Sequence, residues 1–427
     1  MFDGIDMVDF CRDKVTPFYV ISERKIISAY NGIVSNIRVQ RKKVFYSLKT
    51  NYETPVLKTV KSLGAGAEVY RKSELGIALR AGFEGRDMIM DGPCKDRADL
   101  EAALEKGVSL INAESWNEIM LLDGAAKSMG VVQPMGIRVN LGPGQLPGVF
   151  NRLALRQSKP FGFNLKDLKE LFSQLTKKKN VRLSCLLAHM SVPVASPRIF
   201  GRRVRLLFQL ADMARGFGYP VDRIDMGGGF PSEEVNRLNL PKLLGDLPVL
   251  SLFSRAARGG IVSKVGREIT RAYGACATKY GFEPELLMEP GRCLVDDAMI
   301  AVGRVIQTRG RDILGDISTV SELGYQPHFS PREIIVANKL GAPVARAHRI
   351  CGPTMLPFDV IAAHARFPEM ERGDILVVRN VGAYCTVSSR PHMLPRCACY
   401  FVDKEGSVQM SRRKETYEDM IRCQMEV

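Results

Sequence analysis

A single tryptophan, Trp116, stands in a chain whose 61 Lys and Arg outnumber its 46 Asp and Glu. The basic residues lack aromatic company: Arg41-Lys42-Lys43, Lys177-Lys178-Lys179 and Arg202-Arg203-Val204-Arg205 are not interleaved with stacking rings. That absence argues against an RNA or DNA surface despite a formal net charge of +15, because nucleic-acid readers combine basic stripes with such rings. A solvated basic surface, part of it facing anionic small molecules, is the plainer account. No stretch of about 18 uncharged apolar residues is present, so no membrane span is expected. The opening Met1–Lys14 carries acids where a signal peptide carries bases and has no apolar core, which predicts no secretory leader. Ten cysteines are spread thinly, as in a reduced compartment and unlike a disulfide scaffold. Cys397-x-Cys399 has no second pair or nearby His at ligand spacing, so both read as strand residues and no metal site is expected. Repeats and low-complexity segments are also missing. With 427 residues, 45% apolar and 25% charged, the chain has material for a full core, one large domain and a smaller one. The expectation is a soluble cytoplasmic protein with no nucleic-acid or membrane partner.

From residue 44 to 290 short apolar runs alternate with amphipathic stretches, the pattern of βα units. The runs are Val44–Leu48, Ala65–Val69, Met88–Met90, Ser109–Ile111, Met135–Val139, Leu183–Ala188, Arg223–Met226 and Glu285–Met288. Thr54-Pro55 reads as a capping Thr before a first-turn Pro, and Ser115-Trp116-Asn117-Glu118 as a capping box. Asn164 is expected to cap Leu165–Leu175, whose Leu165, Leu168, Leu171, Phe172 and Leu175 keep helical spacing. The stretch before the last run, Ser232–Ser263, is irregular. Eight such units predict an α/β fold with a closed (β/α)₈ barrel over residues 36–290. Beyond it, Met299–Arg309, Glu333–Ala337, Asp374–Val378 and Ala398–Val402 read as strands between Gly and Pro turns, and so does Pro17–Ser22. Residues 1–35 and 291–427 are therefore expected to form a mainly β domain.

Barrels of this kind carry their chemistry at the C-terminal strand ends. Those ends hold, in order, Lys49, Glu68, Asp91, Asn112, Arg138, His189, Gly227-Gly228-Gly229 and Glu289. Lys49 after a buried strand is either snorkelling to the rim or held for Schiff-base chemistry. His189 is either a core histidine bonded to backbone or an imidazole stacked on a planar ligand. Three glycines after a strand are a flexible turn or a nest of amides for a phosphate, and the seventh position favours the nest. In Glu289-Pro290-Gly291-Arg292, a buried carboxyl suits a heteroaromatic nitrogen, and Arg292 beside a glycine suits a phosphate. Lysine, imidazole, glycine nest and carboxyl together describe a pocket for pyridoxal 5′-phosphate.

With Cys351-Gly352-Pro353-Thr354 and Gly382-Ala383-Tyr384 added, the ordered set of motifs resembles the fold-type III pyridoxal-phosphate-dependent amino-acid decarboxylases that act on diaminopimelate, ornithine or arginine. The likeness runs from about Pro17 to Met393. It implies a barrel followed by a β domain, a homodimer with shared active sites, and a small amino-acid substrate. It further implies that Lys49 holds the cofactor, His189 stacks on its ring, Glu289 meets the ring nitrogen, and Gly228, Gly229, Gly291, Arg292 and Tyr384 serve the phosphate. Glu68 takes the place of the acid near the lysine, with Arg138 as its partner.

The departures are as informative. Where the family has a proton-donating Cys followed by an acid, this chain has Met355-Leu356, and only the later Asp359 remains; a thioether donates no proton. The His-x-Gly-Ser motif becomes His189-Met190-Ser191-Val192, offering Ser191 as an alternative hydroxyl. The substrate motif Arg-Pro-x-x-Tyr becomes Gln326-Pro327-His328-Phe329-Ser330. Neither diaminopimelate nor ornithine is therefore expected as substrate; Asp359, His328 and Met355 are the candidate substrate-side residues. The expected activity is decarboxylation of an amino acid or amino-acid conjugate, for instance in siderophore-type biosynthesis, the basic Arg198, Arg202, Arg203, Arg390 and Arg396 leaving room for an anionic tail. Racemisation, decarboxylation-coupled oxidation and a catalytically silent binding protein are the alternatives. His348 and His364 read as surface residues and Glu415–Val427 as a short C-terminal helix.

Overall fold

The fold is taken from a computed structural model that describes residues 1–141, 161–189, 196–232, 260–324 and 332–425. After strand β1 (Phe18–Ser22) come β2 (Lys42–Ser47), β3 (Gly66–Val69), β4 (Met88–Met90), β5 (Leu110–Ala113), β6 (Gln133–Asn140), the two-residue β7 (Phe163–Asn164), β8 (Val181–Leu187), β9 (Arg223–Asp225) and β10 (Glu285–Met288). Strands β2 to β6 and β8 to β10 pair in parallel around a closed ring, β10 returning to β2. β3, β4 and β5 are buried throughout, as strands covered on both faces must be, so they read as apolar runs without alternation.

Amphipathic helices cover the ring. Leu168, Leu171, Phe172 and Leu175 bury one face of Leu168–Leu175. The helix starts later than its spacing predicts: Leu165–Asp167 form a 3₁₀ turn, and Asn164 bonds the Asp167 side chain at 3.0 Å without capping a backbone amide. Ser115 does cap Trp116–Met129, accepting from the Glu118 amide at 3.2 Å. The reciprocal half of that box is missing, because the Glu118 carboxylate turns to the amides of Lys95 and Glu114. Thr54 is a helical residue and Glu53 the cap position. The helix before β10 is Ile261–Tyr280, whose Ile261, Val265, Ile269 and Tyr273 are buried along one face.

A second sheet contains β1, β11 (Met299–Arg309), β12 (Asp312–Gly315), β13 (Ile334–Val336), β14 (Arg346–Cys351), β15 (Val360–Phe367), β16 (Ile375–Val378), β17 (Ala398–Val402) and β18 (Val408–Arg412). β1 lies between β11, antiparallel, and β17, parallel. Its Phe18 and Val20 pack with Phe2, Met7, Ile300, Tyr400 and Val402 in a separate apolar core. Strands β12, β14, β15 and β18 escaped the sequence reading because polar residues interrupt them; β14 and β15 are only partly buried and β18 is an exposed edge. One consequence corrects an expectation: His348, on β14, is 1% exposed, and burial holds its pKa below the ordinary value. Cys399 lies within β17 and Cys397 just before it, both buried. The C-terminal helix is shorter than expected, Tyr417–Ile421. No helix among the described residues is long and apolar enough to cross a membrane.

Polar contacts join barrel and sheet. Arg412 pairs with Glu53, and Asn51 Nδ2 donates to the Gly382 carbonyl at 2.8 Å, while within the second domain the Tyr19 hydroxyl donates to the Glu322 carbonyl. Glu322 is itself buried, its carboxyl accepting the Ser318 amide at 2.8 Å, and burial pushes its pKa up to about 8. A glutamate raised above its unfolded value of about 4.3 keeps a proton in the native state that the unfolded chain releases. Its stabilising contribution is present below that unfolded value and is lost as pH rises towards 8. Glu322→Gln carries no such proton. Thermal melts should show wild type losing Tm relative to Glu322→Gln between pH 5 and 8, whereas a constant offset would contradict this assignment.

Candidate active site

Lys49 sits in a 3₁₀ turn, Leu48–Thr50, directly after β2. The turn puts its amine over the barrel mouth, 2.7 and 2.8 Å from the two carboxylate oxygens of Glu68 on β3. Lys49 keeps 41% of its side chain accessible while Glu68 is nearly sealed at 1%. Burial works against the lysine's charge, but Glu68, Glu289 and Asp91 outweigh it and hold its pKa well above the ordinary value.

Opposite, His189 follows β8 and Glu289 follows β10. His189 Nδ1 lies 3.1 Å from Glu289 Oε2 and 3.2 Å from the Gly228 amide nitrogen. An amide N–H only donates, so Nδ1 receives it with its lone pair and carries no proton itself. The surroundings agree. Burial, aided by Arg138, Lys49 and Arg203, drives the imidazole well below its usual pKa. Burial, then Asp225, Asp91 and Glu68, lift the Glu289 carboxyl well above its own, and Asp225 is raised to about 7. Glu289 also shares a side-chain hydrogen bond with Asp225, so one of the two buried carboxyls keeps a proton.

The glycine run follows β9. Gly227 and Gly229 have φ of +60° and +84°, where a side chain is strained. A Cβ on Gly227 would stand 2.7 Å from His189 Nδ1, and one on Gly228 3.2 Å from His189 Cε1. The glycines thus let the backbone lie against the imidazole. The far side of the mouth comes from the second sheet. The Tyr384 amide donates to the Thr50 carbonyl at 2.8 Å, and the Arg292 guanidinium lies 5.0 Å from the Tyr384 ring centre. Gly291 abuts Thr50, where a Cβ would come within 2.1 Å of the hydroxyl.

Lys49, Glu68, His189, Gly228, Glu289, Gly291, Arg292 and Tyr384 are brought into this network from six separate stretches of chain. Arg138 is close by with a different partner from the one expected. Its Nη1 reaches Glu114 Oε1 at 2.6 Å and Asp91 Oδ2 at 3.3 Å, because β4 and β5 lie on its side of the ring whereas Glu68 faces Lys49. Glu114 carried no earlier signal beyond following a barrel strand; Asp91 was legible as a strand end without a role. Asp359 is a second correction. It is buried, and both oxygens are taken, by the amides and hydroxyls of Thr319 and Thr354, so it braces the Gly352–Thr354 turn and does not face a substrate. Met355 is 81% exposed on that turn. Arg203, expected near the mouth, is buried behind the glycines. Ser191 and His328 lie outside the described residues.

Asp91, His189 and Glu289 offer ligand atoms within 4.8 Å of one another, but the rest of the mouth fits pyridoxal 5′-phosphate better. A lysine amine, a buried carboxyl and a run of glycines stand together, suited to its aldehyde, its ring nitrogen and its phosphate. The comparisons agree. The sequence profile described as "Pyridoxal-dependent decarboxylase, pyridoxal binding domain" matches residues 23–296. The chain belongs to the pyridoxal-dependent decarboxylases. It is an amino-acid carboxy-lyase that uses pyridoxal phosphate. Diaminopimelate decarboxylase of Archaeoglobus fulgidus is 26% identical over 432 residues, 99% of this chain and 96% of that one. The Pseudomonas aeruginosa enzyme of the same name is 26% identical over 409 residues, 95% and 92% of the two chains. Among solved structures, diaminopimelate decarboxylase from M. jannaschii shares the fold with a TM-score of 0.87 at 20% identity, covering 100% and 96% of the chains. The Helicobacter pylori enzyme complexed with L-lysine gives 0.81 at 19% identity, covering 97% and 98%.

Arg138 neutralises two carboxylates in a nearly dry place. Arg138→Met should lower the unfolding free energy by about 3–5 kcal/mol, the usual cost of stranding buried charges. Denaturant melts of the cofactor-free protein would check this, and a loss below about 1 kcal/mol, the value of an exposed pair, would contradict it.

Proposed function

We propose that Lys49 holds the cofactor covalently, that Glu289 and His189 meet its ring, and that Gly228, Gly229, Gly291, Arg292 and Tyr384 serve its phosphate. The observation that carries this reading is the convergence of the Lys49 amine, its Glu68 partner and the His189–Glu289 pair at one barrel mouth. When bound, the cofactor supplies an electron sink that lets a Cα–carboxylate bond break. Glu68 then keeps the lysine oriented and balances its charge, and Glu289 brings a proton to the ring nitrogen it faces. Arg138, Asp91 and Glu114 hold the neighbouring wall. Borohydride reduction of the purified enzyme should fix the cofactor to the peptide containing Lys49, and Lys49→Ala should lose that label and about three orders of magnitude or more in CO₂ release. A label on another lysine would overturn the assignment.

The substrate is an amino acid, and its distal group is read here as different from diaminopimelate and ornithine. Support comes from Met355-Leu356 in place of a thiol and an acid, and from Gln326-Pro327-His328 in place of the arginine motif. A role in specialised, siderophore-type biosynthesis rests on those departures and on the basic balance. The second reading, diaminopimelate itself, is favoured by the names of relatives matching nearly the whole chain. Incubation of each candidate in D₂O, with CO₂ and Cα deuteration followed together, separates the two.

The working form is a cytoplasmic homodimer with shared active sites. Supporting this is the exposed apolar turn carrying Met355 and Phe358, 81% and 51% accessible, beside a hollow of about 580 Å³ whose border combines Val320, Leu356, Phe358 and Pro391 with Arg390 and His392. Sedimentation equilibrium should give twice the chain mass, and Phe358→Asp should shift it towards a single chain with activity falling in step. A wild-type enzyme active as a single chain would rule this assembly out.

A further inference from the structure

Behind the glycine run lies a buried charged side chain. Arg203, on the helix Pro197–Gly216, is 3% exposed, and its guanidinium lies 4.9 Å from the Phe200 ring centre. Its Nη1 donates to the Gly228 carbonyl at 2.9 Å and to the Met226 carbonyl. From the same side, Asp225 Oδ1 accepts the Gly227 amide at 2.8 Å. The loop is thereby tied at three successive residues. A trans peptide points its C=O and N–H in opposite directions. Fastening the Gly228 carbonyl to Arg203 therefore turns the Gly229 N–H away from the helix and towards the mouth. That N–H has no acceptor among the described residues. Arg203 Nε and Nη2 also lack partners among them. Burial pulls its pKa down to about 9 against Asp225 and Glu289, which still leaves it charged at neutral pH.

We propose that Arg203 is a positioning residue for the cofactor's phosphate, presetting the Gly229 amide towards the anion and placing a positive charge behind the loop. The inference rests on the reading that the glycine run receives that phosphate. It separates two contributions. Loop geometry and buried charge should favour phosphorylated over unphosphorylated cofactor, while the Lys49 and Glu289 contacts are common to both.

The test compares equilibrium binding of pyridoxal 5′-phosphate and of pyridoxal to the cofactor-free chain, followed by absorbance and by the quench of intrinsic fluorescence. Wild type should prefer the phosphorylated form. Arg203→Met should reduce its affinity by about ten- to hundredfold, the range for hydrogen bonds to a charged group, and leave pyridoxal within about twofold. A residue that merely supported the fold would weaken both ligands alike, and that result would overturn the proposal. If Arg203→Met does not fold, as its melting curve would reveal, Arg203→Lys, which retains the charge on a shorter reach, should give the same one-sided loss at smaller size. A wild type indifferent to the phosphate would instead refute the glycine-run reading itself, whereas a preference intact in both variants would refute only the role of Arg203.

Discussion

Burying several carboxyl groups in one small volume is the constraint around which the barrel mouth is built. Glu68, Asp91, Glu114, Asp225 and Glu289 all lie in or next to parallel strands, and each is 8% exposed or less. They are not solved alike. Glu68 and Glu114 stand against Lys49 and Arg138, whereas Glu289 avoids its charge by keeping a proton. A buried carboxylate needs a cation, several donors or a proton, and the first and the last of these operate within one ring of strand ends.

This division of charge separates support from chemistry. The Arg138 network ties the ends of β4 and β5 to β6 through one guanidinium nitrogen shared by Glu114 and Asp91. The Glu289–His189 pair has no cation bonded to it and is surrounded by burial and like charge. Lys49 occupies the border between them, paired yet accessible. The second sheet completes the mouth through backbone: Asn51 and Thr50 fasten Gly382 and Tyr384 beside Arg292, so domain packing and site geometry are one event.

Much of this was legible in the linear chain. Apolar runs marked most of the barrel strands because strands covered on both faces have little polar side to show. The functional strand ends were legible for the same reason, since an ionisable residue closing such a run stands out. β14 and β15 were not, because half-exposed strands interrupted by Arg and His resemble loops, and His348 was misread with them. Helix starts were misjudged at Thr54 and Asn164, where a side chain able to cap found another partner or none.

By itself, then, the order of residues determined the barrel, the cofactor class and which ionisable groups close its strands, since periodicity and strand-end chemistry are local properties. Partnership was decided only by tertiary structure. Arg138 meets Glu114 and Asp91 because strand adjacency, not sequence distance, sets which charges face each other. Asp359 is a brace because Thr319 and Thr354 surround it. Arg203 lies under the glycine run because one turn of a covering helix carries it there, a placement that a basic cluster in the sequence could not disclose.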